Sequence, residues 1–321
     1  MKKIVIIGAG AMGSAFSVPC EENSHEVFLV GSFLEDKLIE NINKLDNFHP
    51  NLKYQLPKKV KVMKFSEFIN KKIKDIDLLV VGVSSKGIDW IGEEISNFYN
   101  EKTNILLLTK GLTIIDDQFE TLAEKLKKIL KNRNINDPKI SAVGGPCLAN
   151  GLANKINSSV VLANENIEIV KDIGNIISTN YYSTEYSNDL VGVEVCAAIK
   201  NLYSMIIGAS EGLCSDKAQE DKKKKYFLNT AASLMYKSIS EMAHFTKRLK
   251  GQEETVYGLA GLGDLYVSSA GGRNSKMGKL LGEGNTYQDA KEKFMKNDTV
   301  EGAELIFEIG DKILKEFDRK K

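Results

Sequence analysis

The sequence is short of the residues that hold metals or cross-link chains. Its 321 residues include four cysteines and three histidines. Cys20, Cys147, Cys196 and Cys214 are dispersed with no C-x-x-C, and His25, His49 and His244 are equally scattered. A metal site draws on clustered Cys, His or carboxylates, and a disulfide framework on closely spaced cysteines. Neither is expected, and Cys196, in an apolar helical stretch, reads as core. An excess of one charge is missing too. The net charge is +1 with both signs mixed, which favours neither a nucleic-acid partner nor an anionic membrane surface. No run approaches the ~18 consecutive apolar residues of a membrane-spanning helix. The two N-terminal lysines lead into a strand-like run that passes straight into glycines, unlike a secretory signal with its small-residue cleavage site. These absences lead to the expectation of a soluble, cytoplasmic protein with no metal, no nucleic-acid partner and no stable membrane insertion. Internal repeats and long low-complexity segments are absent as well.

What is present begins at residues 2–13, KKIVIIGAGAMG. Ile4, Val5, Ile6 and Ile7 form a run too short for a helix and suited to a strand buried on both faces. Gly8, Gly10 and Gly13, with Ala11 and Met12 between, then fit G-x-G-x-x-G. In that pattern the first glycine permits a tight turn, the second lets a pyrophosphate approach, and the third lets the next helix pack on the strand. The N–H groups and positive dipole end at the helix start would hold the phosphates. Six-residue glycine patterns also arise by chance in a chain with 26 glycines. The preceding strand and a second strand pattern at residues 25–30, HEVFLV, supply the context a dinucleotide site requires.

The length suggests about two domains, and a hydrophobic content of 42% is enough for sizeable cores. In the first half, strand patterns at 60–62, 76–83, 104–109 and 140–143 alternate with helical patterns at 14–22, 88–99 and 119–130. Pro19 is expected to shorten or kink the first helix. Such alternation predicts a Rossmann-like, doubly wound α/β sheet. From Asp189 the texture is helical, at 190–207, 227–248, 276–281 and 303–317, with no convincing strand. The expected division is a dinucleotide-binding domain over 1–187 and an all-α substrate and catalytic domain over 188–321. The four-lysine run at Lys222–Lys225 reads as a solvated loop.

A dehydrogenase needs a proton donor, electrostatic stabilisation of developing charge, and a handle on the unreactive part of its substrate. Lys200 closes the apolar run VGVEVCAAIK, and helical spacing sets Glu194, Ala197 and Asn201 near it. Such a lysine either snorkels to solvent or is part-buried, with its ordinary pKa of roughly 10.4 lowered toward working pH. Residues 258–274, GLAGLGDLYVSSAGGRN, place Asp264 and Ser268 on one helix face and present Arg273 after Gly271 and Gly272. That guanidinium is either an ordinary surface arginine or a planar fork for two phosphate oxygens. Lys110 follows a buried strand, where it is either solvated or directed into the crevice at the strand ends.

Nearly end to end, these residues resemble the NAD(P)-dependent glycerol-3-phosphate dehydrogenases. The resemblance rests on the glycine loop, Thr109-Lys110-Gly111, Gly145-Pro146-Cys147-Leu148-Ala149, Asp189 and Gly192-Val193-Glu194. It continues through Ala198-Ile199-Lys200-Asn201, Asn229-Thr230, Glu241-Met242, residues 258–264, Gly272-Arg273-Asn274 and Val300-Glu301-Gly302. It implies hydride transfer between a nicotinamide and C2 of dihydroxyacetone phosphate, giving sn-glycerol 3-phosphate for phospholipid precursor supply or redox balance. It implies Lys200 as proton donor and acceptor, with Asp264 and Lys110 assisting. Gly145, Cys147, Asn201, Ser268, Gly272, Arg273 and Asn274 would complete the substrate site, Arg273 and Asn274 at its phosphate. Gly8, Gly10, Ala11, Met12, Gly13, Phe33, Lys110, Ala149, Arg273 and Glu301 would touch the cofactor. A homodimer is implied at the level of the family. The sequence departs from the family pattern at Ser84 (usually proline), Cys147 (serine or threonine), Gly151 (glutamate) and Ala231 (lysine). The stretch after the second strand, residues 31–37 or GSFLEDK, holds two acids and no arginine. That composition leans toward NAD, with NADP the alternative. Two other classes fit the residues less fully: a dehydrogenase of hydroxy or sugar acids, and a non-catalytic dinucleotide sensor.

Overall fold

The β-branched runs that open the chain form the centre of a sheet in the computed structural model, which describes residues 1–214, 227–296 and 298–317. The four-lysine run lies outside the described residues. The sheet strands are β1 (Lys3–Ile7), β2 (Glu26–Val30), β3 (Lys61–Met63), β4 (Leu78–Val81), β5 (Asn104–Leu107), β6 (Lys139–Gly144), β7 (Ser158–Ala163) and β8 (Tyr182–Ser187). Their order across the sheet is β8-β7-β6-β5-β4-β1-β2-β3. Every neighbouring pair is parallel except β6 with β7. The order reverses between β1 and β4, the switch point of a doubly wound sheet, where ligands bind beyond the strand ends.

Successive strand residues point to opposite faces. Ile4 and Ile6 therefore join one core, with Phe16, Leu29, Leu78 and Leu162, while Val5 and Ile7 join a second, with Val81, Ile91, Leu107 and Leu126. Both faces are covered, as the unbroken apolar run requires. The helices used below are α1 (Ala11–Glu22), α2 (Leu190–Leu213), α3 (Phe227–Arg248), α4 (Asp264–Gly271), α5 (Arg273–Gly282) and α6 (Glu301–Phe317).

The chain divides into two compact units. The first comprises Met1–Lys110 and Thr121–Leu190, the second Gly111–Glu120 and Val191–Lys321. The short segment in the second unit carries a two-stranded sheet, Leu112–Ile115 with Gln118–Thr121, whose last residue falls to the first unit; the turn passes through Asp116 and Asp117 at positive φ. Within this unit Phe119 packs edge-on against Phe245 of α3, and Lys312 of α6 reaches Asp117 at 3.0 Å. The expected helix over 119–130 is corrected accordingly: residues 118–121 are extended, and the helix runs Leu122–Asn132 behind a Thr121–Glu124 capping box. Strands β7 and β8 were not expected. Pro19 does not end α1, which continues for three residues to Glu22.

In the second unit α2 and α5 meet along glycines. A Cβ at Gly208 would lie 2.2 Å from the Ser275 carbonyl oxygen, and one at Gly278 would lie 1.9 Å from that of Met205. Gly212 and Gly282 repeat the contact one turn on. Glycines four apart on each helix let the backbones touch, which fixes the N-terminal end of α5 beside Asn201. By length and composition α2 alone among the described residues could cross a membrane, but most of it is buried within the protein.

Candidate active site

The first part of the site is the turn between β1 and α1. Gly8 has φ +113°, and a Cβ there would lie 2.5 Å from the Gly82 backbone. A Cβ at Gly13 would strike the Gly8 carbonyl oxygen at 2.0 Å. Gly10 is different: the nearest atom to its would-be Cβ is Glu35 Oε1 at 3.9 Å. The fold thus leaves room at the second glycine, where a pyrophosphate needs it. Gly10 is the N-cap of α1 with no side-chain cap, so the N–H groups of Ala11, Met12 and Gly13 lead the helix without a capping acceptor. The turn fits a dinucleotide on these two grounds.

Ala9 between the glycines is held from both sides of its backbone. Its N–H donates to Glu35 Oε2 at 3.1 Å, and its carbonyl accepts from Ser14 Oγ at 3.0 Å and from His49 Nε2 at 2.9 Å. Leu52 N–H donates to His49 Nδ1 at 3.0 Å, so the ring carries its proton on Nε2. Glu35 and His49 were not assigned from sequence. The only sequence signal for Glu35 was its acid character shortly after β2, and buried His49 gave none.

Other residues of the first unit stand near strand ends. Phe33, exposed, packs edge-on against Trp90 at 5.0 Å, and Trp90 in turn against Phe65. Lys110 ends the segment after β5 and is part-buried. Gly145 has φ +127° after β6, and a Cβ there would press on Val160 at 3.1 Å. Cys147 and Ala149 are part-buried and pack on the first core, and Ala149 opens a short helix to Ala153. Ser84, at the family's proline position, precedes a single 3-10 turn, Ser85–Gly87.

The second part lies wholly within the helical unit. Lys200 on α2 is 6% exposed and Asp264, at the start of α4, 1%. Lys200 Nζ donates to Asp264 Oδ1 at 2.5 Å and to Ser268 Oγ at 2.6 Å. Of the two readings left open for this lysine, the buried one is the geometry found. Asp264 is aimed by the turn before it, Leu259–Gly263, which is wound as π-helix with Gly263 N–H bonded to Gly258 O at 3.2 Å. A Cβ at Gly261 would sit 2.0 Å from the Val256 carbonyl oxygen, so this winding needs glycine.

Gly272 ends α4 and caps α5, and no side chain caps the new helix. Arg273 and Asn274 are its first residues. An uncapped helix N-terminus beside a guanidinium is a site for a phosphate. Arg273 is half exposed and paired with Glu301 at the start of α6. Asn274 is committed within the protein: Nδ2 donates to Asn201 Oδ1 at 3.0 Å and to Glu301 Oε2 at 3.3 Å, and Oδ1 accepts from Gly302 N–H at 2.8 Å. Asn201, Lys200, Asp264, Ser268, Gly272, Arg273, Asn274 and Glu301 therefore form one connected group within this unit. Its two cations each face a carboxylate.

Among the described residues no cluster of His, Cys, Asp and Glu is arranged to hold a metal ion, and the four cysteines form no disulfide.

Comparison with known proteins agrees over almost the whole chain. Residues 3–170 match the family model described as NAD-dependent glycerol-3-phosphate dehydrogenase N-terminus, and residues 189–317 the corresponding C-terminus. An NADP(+)-dependent glycerol-3-phosphate dehydrogenase from Archaeoglobus fulgidus is 30% identical over 97% of this chain and 90% of its own. A glycerol-3-phosphate dehydrogenase [NAD(P)+] from Clostridium botulinum is 29% identical over 98% and 89%. The fold is similar to that of the crystal structure of glycerol-3-phosphate dehydrogenase from Coxiella burnetii. The TM-score is 0.81 at 23% identity, covering 98% of this chain and 90% of that one. The chain belongs to the NAD-dependent glycerol-3-phosphate dehydrogenase family.

Proposed function

We propose that the protein interconverts dihydroxyacetone phosphate and sn-glycerol 3-phosphate with a nicotinamide dinucleotide. The observation that carries the reading is the buried Lys200–Asp264–Ser268 group, joined through Asn201 and Asn274 to an arginine-bearing helix start, in a chain of this family. When bound, the dinucleotide supplies hydride chemistry at its nicotinamide. Gly8, Gly10, Ala11, Met12 and Gly13 hold its pyrophosphate, with Phe33 at the adenine and Lys110 and Ala149 as further contacts.

Reduction of a ketone builds negative charge on its oxygen. Lys200 Nζ gives a proton to the C2 oxygen as that charge forms and takes it back in the reverse direction. Asp264 and Ser268 fix Nζ so that little reorganisation accompanies the transfer. Arg273, released from Glu301, and the N–H groups opening α5 hold the phosphate. The phosphate is the part of the substrate that does not react, and holding it orients the carbonyl. Glu301 is then free to bond the cofactor. Asn201 and Asn274 keep α2 and α5 in register, and Lys110, Gly145 and Cys147 contact the substrate.

The protein works in the cytoplasm as a homodimer; sedimentation velocity at micromolar concentration reads the assembly, and a monomer throughout would remove that part. The reaction is tested by the loss of reduced-nicotinamide absorbance with dihydroxyacetone phosphate. Failure with both NADH and NADPH would sink the assignment.

A further inference from the structure

A buried histidine reaches the back of the dinucleotide turn. His49 is fully buried and lies in a short antiparallel pair, Phe48–His49 with Tyr54–Gln55, between the helix Asp36–Lys44 and β3. The segment that carries it is costly to form. Asp46, Asn47 and Lys53 take positive φ, at 51°, 68° and 51°. A lysine there has neither the freedom of glycine nor the local side-chain bonds that ease Asn and Asp into the left-handed region. Asn47 ties the segment down: its Nδ2 donates to Val60 O at 3.2 Å and its carbonyl accepts from Leu56 N–H at 3.0 Å. Backbone strain persists where the surroundings over-determine it, and it concentrates at functional places. What this segment fixes is the imidazole ring. Nδ1 accepts from Leu52 N–H and Nε2 donates to Ala9 O.

The carbonyl so held belongs to the peptide that carries the Gly10 N–H. That peptide is trans, so its C=O and N–H point in opposite directions. His49 and Ser14 draw the oxygen to the buried side, and the Gly10 N–H is turned away from it. The preceding peptide is fixed as well. Residues 32–35 double back after β2, with Glu35 N–H bonded to Ser32 O at 3.0 Å, and return the Glu35 carboxylate to the Ala9 N–H.

We propose that His49 is a positioning residue for the dinucleotide: by gripping the Ala9 carbonyl it presents the Gly10 N–H to the pyrophosphate. The inference rests on the dinucleotide reading of the turn and adds to it a side chain that lies behind the turn. Glycine gives the turn room, but its freedom also lets the 9–10 peptide rotate. A rotated peptide would offer the phosphate oxygens a carbonyl, which repels them, in place of a donor. Ser14 bonds the same oxygen, yet a hydroxyl rotates to suit its partner, whereas the histidine ring is fixed at both nitrogens. His49 therefore acts on dinucleotide affinity and leaves turnover at saturating dinucleotide as it is.

The test separates the two ring nitrogens. His49→Gln keeps a donor near the Nε2 position and loses the acceptor for Leu52. His49→Asn keeps an acceptor near the Nδ1 position and is too short to reach Ala9. Both intact proteins are titrated by calorimetry with NADH and with ADP-ribose, which has the pyrophosphate and no nicotinamide. His49→Asn should bind both ligands at least ~10-fold more weakly than wild type, the scale of one hydrogen bond to a charged group. His49→Gln should stay within about threefold of wild type, a small fraction of that bond. Equal losses in the two variants overturn the proposal, because they mark a residue that only braces its own segment. Full affinity in His49→Asn overturns it too. In the wild type, ADP-ribose should shift the Gly10 amide proton downfield in spectra of protein carrying isotope-labelled glycine. An unmoved resonance overturns the proposal whether or not the variants fold. A wild type that binds neither NADH nor ADP-ribose overturns the dinucleotide reading itself, and this inference with it.

Discussion

Lys200 is a cation that has left water for one carboxylate and one hydroxyl. At 6% exposure and 2.5 Å from Asp264 it is fixed in place, which suits a proton donor better than a solvated lysine would. Lys200→Ala is expected to lower kcat by at least ~10²-fold, the scale of general acid–base catalysis, with the KM for dinucleotide little changed. Steady-state kinetics checks this, and near-normal turnover would take Lys200 out of its role. Arg273 is expected to act on binding. Arg273→Ala should raise the KM for dihydroxyacetone phosphate by roughly 10- to 100-fold, the equivalent of about 1.5–3 kcal/mol for a hydrogen bond to a charged group. An unchanged KM would assign the phosphate to other groups. Both residues were singled out from the sequence, with Asp264 set beside Lys200 by the resemblance, but the partner of Arg273 was not. Glu301 was placed at the cofactor by resemblance, and its bonds to Arg273 and Asn274 emerge only when α6 meets α5. Glu35 looked too far beyond β2 because residue spacing cannot register a turn that doubles back.

At the scale of elements, the strands most plainly legible in the sequence were those buried on both faces, although the edge strand β3 was also read, at 60–62. β1, β4 and β5 carry the apolar runs Ile4–Ile7, Leu78–Val81 and Ile105–Leu107 because both of their faces are buried. β7 opens with two serines and β8 is mostly polar, with Tyr182 buried and Glu185 and Tyr186 exposed along the sheet edge, so neither has the continuous pattern that marks an inner strand. The pair at 112–121 turns on Asp116-Asp117 in place of the glycine that usually announces such a turn. The seam of α2 and α5 was also invisible, since a glycine that lets two backbones touch looks like any other. Gly278→Ala is expected to destabilise the protein by about 1–3 kcal/mol, as overpacking does. Gly271→Ala, at a position where a Cβ meets nothing within 4 Å, should fall within about 0.5 kcal/mol of wild type. Paired denaturant titrations read the difference, and equal stabilities would mean the seam is looser than the geometry shows.

At the scale of the molecule, the two compact units are not two consecutive stretches of chain. The hairpin Gly111–Glu120 leaves the first unit's sequence to pack its Phe119 on Phe245 and its Asp117 on Lys312. We therefore expect a fragment of residues 188–321 to melt less cooperatively, and at lower temperature, than the same helices in the intact chain. Circular dichroism melts check this. A fragment as stable as the full protein would favour a simple division at 187/188. The chemistry of the whole chain is read by the absorbance of reduced nicotinamide, followed on mixing the intact protein with dihydroxyacetone phosphate. Steady oxidation is expected, stopping when the triose phosphate is omitted and falling at least ~10²-fold in Lys200→Ala. No oxidation of NADH or NADPH by the folded wild type, or oxidation that survives loss of the Lys200 amine, would contradict it.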